Sequence, residues 1–349
     1  SMIPGGTGSA TLSGTNNKTV NNGNAGTVTI GTASVFVGTG VLNFSSLAVN
    51  ATTPANFVDG FSLSQGAVSG SGSIKITRNL STSDIWYELG FPVTSGTVAD
   101  LQTTGFPIRD NSFPANFINI YRWDAGSADW IAAASTTPLT ETALKIFAFG
   151  ASPSISITVS TSSFNNGILA EALDYNDGQS SLYLSGTTAV TEGWNNHFNP
   201  FQAYIDWAAV EPVLTGDSKF TNVGVAVKNN TGSYEYFNGD VGTARYIAPV
   251  QGFWLQSNNT VVSPTTFSYT NAIRTVTPGT PVSSFKSNSA PLPQIALKLN
   301  GPNGEVLTHI AKNPSATNAF DPSYDMRWFE GDHAHFYTKD ASNEQYGIN

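Results

Sequence analysis

The chain has 349 residues, of which 11% are charged, 40% hydrophobic and 11% aromatic, with no cysteine and a formal net charge of −9. An ordinary soluble domain is about 25% charged. The excess of acid repels phosphate backbones and disfavours nucleic acid as a partner, no apolar run reaches the roughly 18 residues of a membrane span, and the absent thiols exclude disulfide frameworks, thiolate catalysis and cysteine–zinc sites.

In chain order, the predicted elements are short strands. Residues 27–31, 34–38, 41–49 and 72–77 alternate apolar with small polar side chains, the period-2 signal of half-buried strands. Clusters of Gly, Asn and Ser separate them, as turns require. The spacing predicts a meander or a few rungs of a β-solenoid over residues 1–80, with residues 1–25 loose or at an edge. Helical signal is confined to 95–105 and 203–212, each read as a short helix or a single turn, the second closed by Pro212. Everything else reads as strands, so the predicted class is all-β.

An internal repeat carries the most information. Trp86 precedes Pro92 and Trp194 precedes Pro200 at the same spacing, 108 residues apart. Residues 118–130 are echoed by 223–237, each a strand, a polar turn and a strand. Residues 144–150 align with 251–257, matching Phe147 to Phe253 at an offset of 106. Three matches in one order predict a duplicated β-sandwich-like unit, at about 81–150 and 190–260 within a tandem region 81–277. Pro92 and Pro200 should end strands, because proline cannot donate to a central ladder. Gly126 and Gly232 should sit in hairpin turns.

The Pro/Ser-rich stretch 278–290 reads as a linker. A further β domain begins at 291, where Ile295, Leu297 and Leu299 alternate with polar residues and the chain turns between Gly301 and Gly304. A sandwich usually needs about 100 residues. This partial C-terminal β-sandwich, 291–349, is therefore expected to continue past Asn349.

Residues 316–331 and 335–349 carry Ala-Thr, Phe-Asp and Tyr-Asp pairs and a closing Ile-Asn strand, a pattern that resembles parts of large secreted proteins of Bacteroidota. Residues 193–207 are similar to their Gly-Trp-Asn, Asn-Pro and Ile-Asp-Trp element, 246–257 to their Gln-Gly-Phe element, and 72–93 to their Trp-Tyr and Pro-Val element. His197 departs from the pattern, standing where that family usually has an apolar residue. The resemblance covers about residues 72–349. It implies export by the type IX secretion system, as the region preceding the sorting domain of an adhesin-like or polysaccharide-degrading protein. A surface of Ser, Thr, Asn and Gly with little charge points the same way, to an extracellular or cell-surface location.

Candidate chemistry is sparse. Asp206 beside Trp207, and Glu171 with Asp174 and Asp177, are the local carboxylates to test for glycan hydrolysis, but none sits in a recognisable catalytic motif and turn or cap roles account for them. His333 and His335 share a strand face and make half a metal site with Asp332; a surface loop entering a strand is the simpler explanation. No nucleophile elbow surrounds a serine. No cofactor is expected apart from calcium, which takes oxygen ligands. Its candidate donors are Asp174, Asn176 and Asp177, or Asp321 and Asp325. Residues 174–178 begin like an EF-hand loop, but the twelfth position is Ser185, not a ligand. Aromatic rings can stack on sugar faces; Tyr121 with Trp123, and Tyr234 with Tyr236, share strand faces, and a core role explains each pair as well. The sequence favours a non-enzymatic secreted or cell-surface module, an adhesin or stalk, partnered by a surface or matrix glycan or protein. The alternative is a carbohydrate-binding accessory module of a polysaccharide-degrading protein, with or without calcium.

Overall fold

The computed structural model describes residues 9–12, 17–19, 23–30, 35–37, 41–50, 54–58, 62–63, 67–80, 84–124, 129–140, 142–165, 169–173, 193–220, 223–229, 233–257, 265–275, 294–301, 304–317, 324–327, 336–339 and 345–348. The fold is all-β, as the period-2 pattern predicts.

The first strands coil. β1 (Ser9–Leu12), β3 (Gly23–Ile30) and β5 (Val41–Val49) pair in parallel, and β7 (Ser62–Leu63) and β8 (Ala67–Ser69) both pair with β5. β2 (Asn17–Thr19), β4 (Val35–Val37), β6 (Ala55–Val58) and β9 (Ser73–Asn79) form a second parallel ladder. Up to β6 the chain crosses between the two sheets after every strand, so each circuit adds a rung. Ser9 lies opposite Thr27, Thr27 opposite Ser46 and Ser46 opposite Ala67, steps of 18, 19 and 21 residues. This is the solenoid of the two expected arrangements, since a meander pairs consecutive strands antiparallel. Like side chains stack from rung to rung. Ile30 sits on Val49, and Phe36 stacks on Phe57 (centroids 5.2 Å apart, planes at 15°) with Ile76 beyond, all wholly buried.

β9 closes the solenoid and opens the next unit. One edge runs parallel to β6; the other is antiparallel to β15 (Ser154–Ser160), which pairs with β11 (Leu101–Thr104). A second, wholly antiparallel sheet lies against it, ordered β10 (Ile85–Leu89), β14 (Leu144–Ala148), β12 (Ile120–Asp124), β13 (Asp129–Ala132). Ile74, Ile155 and Ile157 of one sheet share a core with Leu89, Ile120 and Ile146 of the other, and with Ile30 and Phe36 of the solenoid. The hydrophobic core is thus continuous across residue 80.

The second unit repeats the plan. β17 (Trp194–Phe198), β22 (Gly252–Gln256), β19 (Val225–Lys228) and β20 (Tyr234–Phe237) form a sheet in the same order of first, last, second and third strand. Its core face is covered by β18 (Tyr204–Asp206) with β21 (Tyr246–Ile247) and β24 (Arg274–Thr275), by β16 (Leu169–Leu173) with β23 (Thr265–Tyr269), and by α1 (Trp207–Thr215). The ladder corrects one detail of the repeat. Trp86 pairs with Phe147 whereas Trp194 pairs with Gln256, so Phe147 corresponds to Gln256 and Phe253 to Leu144. Matching the two phenylalanines is three residues out of register, and an odd shift swaps faces. Phe253 is core, while Phe147 lies on the other face against Trp86.

Of the two helical stretches, the first holds only a 3-10 turn, Val98–Asp100, where Asp100 accepts from the Thr97 N–H at 2.8 Å. The second starts at Trp207 and runs past Pro212 to Thr215. Burial of Trp207, Val210 and Leu214 on one face outweighs the donor that proline lacks. Strands β10 and β17 end at Leu89 and Phe198, just before Pro92 and Pro200.

At the C-terminal end, β25 (Gln294–Gly301) and β26 (Gly304–Ala311) form a hairpin with Gly301 opposite Gly304. β29 (Gln345–Ile348) runs parallel to β26 and pairs antiparallel with β27 (Met326–Arg327) and β28 (Thr338–Lys339). Met326 and Ile348 pack with Trp194, Tyr236 and Trp254 on the outer face of the second unit's sheet. Ile295, Leu297 and Leu299, on edge strand β25, are exposed. Gly126, Gly232 and the linker 278–290 lie outside the described residues. Among the described residues no helix is long and apolar enough to cross a membrane.

Candidate functional site

The two units meet through the sheet faces that point away from their own cores. Their ladders make Glu88 the counterpart of Asn196, Gly90 of Phe198, Ala143 of Gly252 and Lys145 of Trp254. Counterparts touch one another. Asn196 Nδ2 lies 3.4 Å from Glu88 Oε2, and Gly90 is so close to Phe198 that a Cβ on it would lie 2.1 Å from the ring's Cγ. The Ala143 N–H donates to the Asn196 carbonyl at 3.3 Å, and reciprocally Gly252 lies against Glu88. These are the contacts of an approximately two-fold pair inside one chain. Asn165 ties both repeats: its backbone N–H donates to the Pro92 carbonyl (2.8 Å) and its side chain to the Pro200 carbonyl (2.6 Å).

Glu88 is the charged centre of this seam, 4% exposed. Trp254 Nε1 donates to it at 2.7 Å, the Tyr234 hydroxyl donates to its other oxygen, and the buried Lys228 ammonium stands 4.0 Å away. The Asn196 amide, turned over, donates to the Ala143 carbonyl and accepts from Trp254 Nε1, both at 3.2 Å. That orientation satisfies both its ends, where the other offers one long bond to Glu88. A buried charge needs such partners, because removal from water costs several kcal/mol (order of magnitude) that only pairing and hydrogen bonds return.

The four aromatic candidates fall in or beside this seam. Tyr234 and Tyr236 are buried, at 7% and 1% exposure, so no sugar ring can stack on them. Trp123 is half-buried, edge-on to Trp254 (4.9 Å, 81°) and Trp130 (5.5 Å, 70°), with its Nε1 donating to the Trp194 carbonyl at 2.7 Å. Tyr121 meets Trp86 edge-on at 5.6 Å. Lys145, also buried, sits over Trp86 and Trp130 at 5.3 and 5.0 Å. Neither Glu88 nor the two lysines stand in a motif; the one readable signal is a single acid inside the apolar strand of Trp86 to Leu89.

Of the calcium candidates, Asp174, Asn176, Asp177 and Asp321 lie outside the described residues. Asp325 is buried and forms part of the wall of a cleft of about 210 Å³ between the β20 hairpin and the C-terminal sheet. Among the described residues no group of three His, Cys, Asp or Glu is placed to hold a metal. Asp206 caps α1, accepting from the Ala208 N–H at 3.1 Å, and takes a two-point bond from Arg245 at 2.8 Å. That bond holds the guanidinium above its ordinary pKa. His197 is buried and hydrogen-bonded to the Tyr269 hydroxyl. His309 is buried, and among the described residues none hydrogen-bonds its Nδ1; desolvation pushes its pKa down against the pull of Glu235. His333 and His335 lie outside the described residues.

No family model, curated protein or solved structure matches the chain.

Proposed function

We propose that the chain is a non-enzymatic structural module of a secreted or cell-surface protein, an adhesin stalk or presenting region exported by the type IX route. One observation carries this reading. Glu88, Lys228, Trp194 and Trp254 are buried, and Lys145, Trp123 and Trp130 are packed against them, in the contact between the two units, where they hold the units together. The solenoid shares its core with the first unit, so load applied at one end passes through packed side chains at each junction. Export by type IX secretion rests on the sequence resemblance, and the partner would be a surface or matrix glycan or protein.

Pulling single molecules of the full chain tests the reading. The two units are expected to rupture together in one cooperative event; separation at low force, with each unit unfolding independently, overturns a load-bearing role. Turnover of any member of a panel of chromogenic glycosides overturns the non-enzymatic part. A carbohydrate-binding role, the second reading, cannot rest on the buried Tyr234 and Tyr236; the cleft beside Asp325 is the observation in its favour.

A further inference from the structure

We propose that the cleft between the β20 hairpin and the C-terminal sheet binds one terminal glycosyl residue. Its two walls are turns locked by asparagines. Asn238 accepts from the N–H groups of Asp240 (3.1 Å) and Val241 (2.7 Å), and donates to the Tyr324 carbonyl at 2.6 Å. Its hairpin closes at Gly242, whose φ of +115° and approach to the Tyr236 carbonyl admit no side chain. On the opposite wall Asn313 accepts from the Ser315 N–H at 2.9 Å, and its carbonyl accepts from Ala316 at 3.1 Å. Walls held this way need little ordering when a ligand arrives.

The lining points to a polyol. Asp240 and Lys312 stand on the rim of the same cleft, and among the described residues neither forms an ion pair. Asp325 lies deeper, 7% exposed, and Val241 with Ala311 supplies small apolar surface. Hydroxyl groups both donate and accept, so one sugar can donate hydrogen bonds to the carboxylates and accept one from the ammonium while its C–H face rests on the apolar patch. Drug-sized sites span about 300–1,000 Å³. A volume of about 210 Å³ therefore suits one ring, not a chain.

Calorimetric titration of the full chain with methyl glycosides of galactose, glucose, mannose, fucose and N-acetylglucosamine, with and without chelator, tests this. One glycoside should bind at one site with millimolar affinity, unaffected by chelator. Ala316→Phe, which fills the cleft, should weaken it at least tenfold with the melting temperature unchanged. Should that variant fail to fold, Asp240→Ala on the exposed rim should do the same. No binding, binding untouched by both variants, loss of binding in chelator, or preferential binding of free glycine as a zwitterion would each overturn the proposal. A stalk need bind nothing, so absence of sugar binding leaves the structural reading intact.

Discussion

The first and second units share strand order and the face through which they meet, yet differ at the positions that touch. Glu88 faces Asn196, and Gly90 faces Phe198. On a true two-fold a residue on the axis would meet its own copy. Two buried carboxylates would repel, two phenyl rings would collide, and two glycines would leave a void. A single chain escapes this constraint by placing unlike residues at equivalent sites. The difference teaches that the seam is set by complementarity across the axis, and that sequence similarity between the repeats should fail where they pack most closely.

The largest effect expected from breaking that asymmetry is at Glu88. Glu88→Gln removes the buried carboxylate that faces the Lys228 ammonium at 4.0 Å and should cost about 3–5 kcal/mol, measured by urea unfolding followed through tryptophan fluorescence. Asn196→Ala at the counterpart should cost only about 1–3 kcal/mol. Equal costs would mean that the seam is symmetric after all.

Gly90 and Phe198 come next. Gly90→Ala drives a methyl into the ring and should cost about 1–3 kcal/mol; Phe198→Ala removes the ring, at about 3–5 kcal/mol. The double variant should cost clearly less than the sum, because the second change removes the first one's clash. Simple additivity would show that the two do not share one contact.

Asn196→Asp restores like facing like. Two carboxylates in one buried site hold one of them protonated at higher pH than usual, so the variant should be less stable than the parent at neutral pH. The gap should narrow as the pH falls and one carboxyl takes up a proton. Melting curves across pH 7 to about pH 4 check this, and a gap that does not change with pH would remove Glu88 as the cause.

The smallest effect probes the C-terminal sheet, which packs on the second unit's sheet. Burial lowers the pKa of His309 in the folded state from its ordinary 6.5. The unfolded chain therefore binds the proton first, and stability should decline as pH falls through 6.5, levelling off below the folded pKa. His309→Gln should flatten that slope in pH-dependent unfolding; an unchanged slope would locate its origin elsewhere.

Much of the fold was legible in the residues. Period-2 alternation identified the strands around Val41 and Ile74, and the Trp86 and Trp194 motifs located the two units. The ladder register was not, because Phe147 and Phe253 look alike as letters while occupying opposite faces. Pro212 misled for a related reason: the rule against proline in helices is local, and the burial that overrides it at Trp207 and Leu214 is not. At the candidate sites, Asp325 was named for its oxygen ligands. Asp240 and Lys312 gave no signal, being ordinary polar residues 72 positions apart until the C-terminal sheet docks beside the β20 hairpin.

The sequence by itself determined class and plan: a sparsely charged, turn-rich, thiol-free chain of alternating strands with a duplicated unit. These properties follow from side-chain period and composition, which are local. Tertiary structure alone decided that the early strands wind into parallel rungs, that the two units meet outer face to outer face, and that Glu88, Trp123, Trp130, Trp194 and Trp254 lie in that contact. Each depends on pairing between residues far apart in the chain, where packing and desolvation choose the partner.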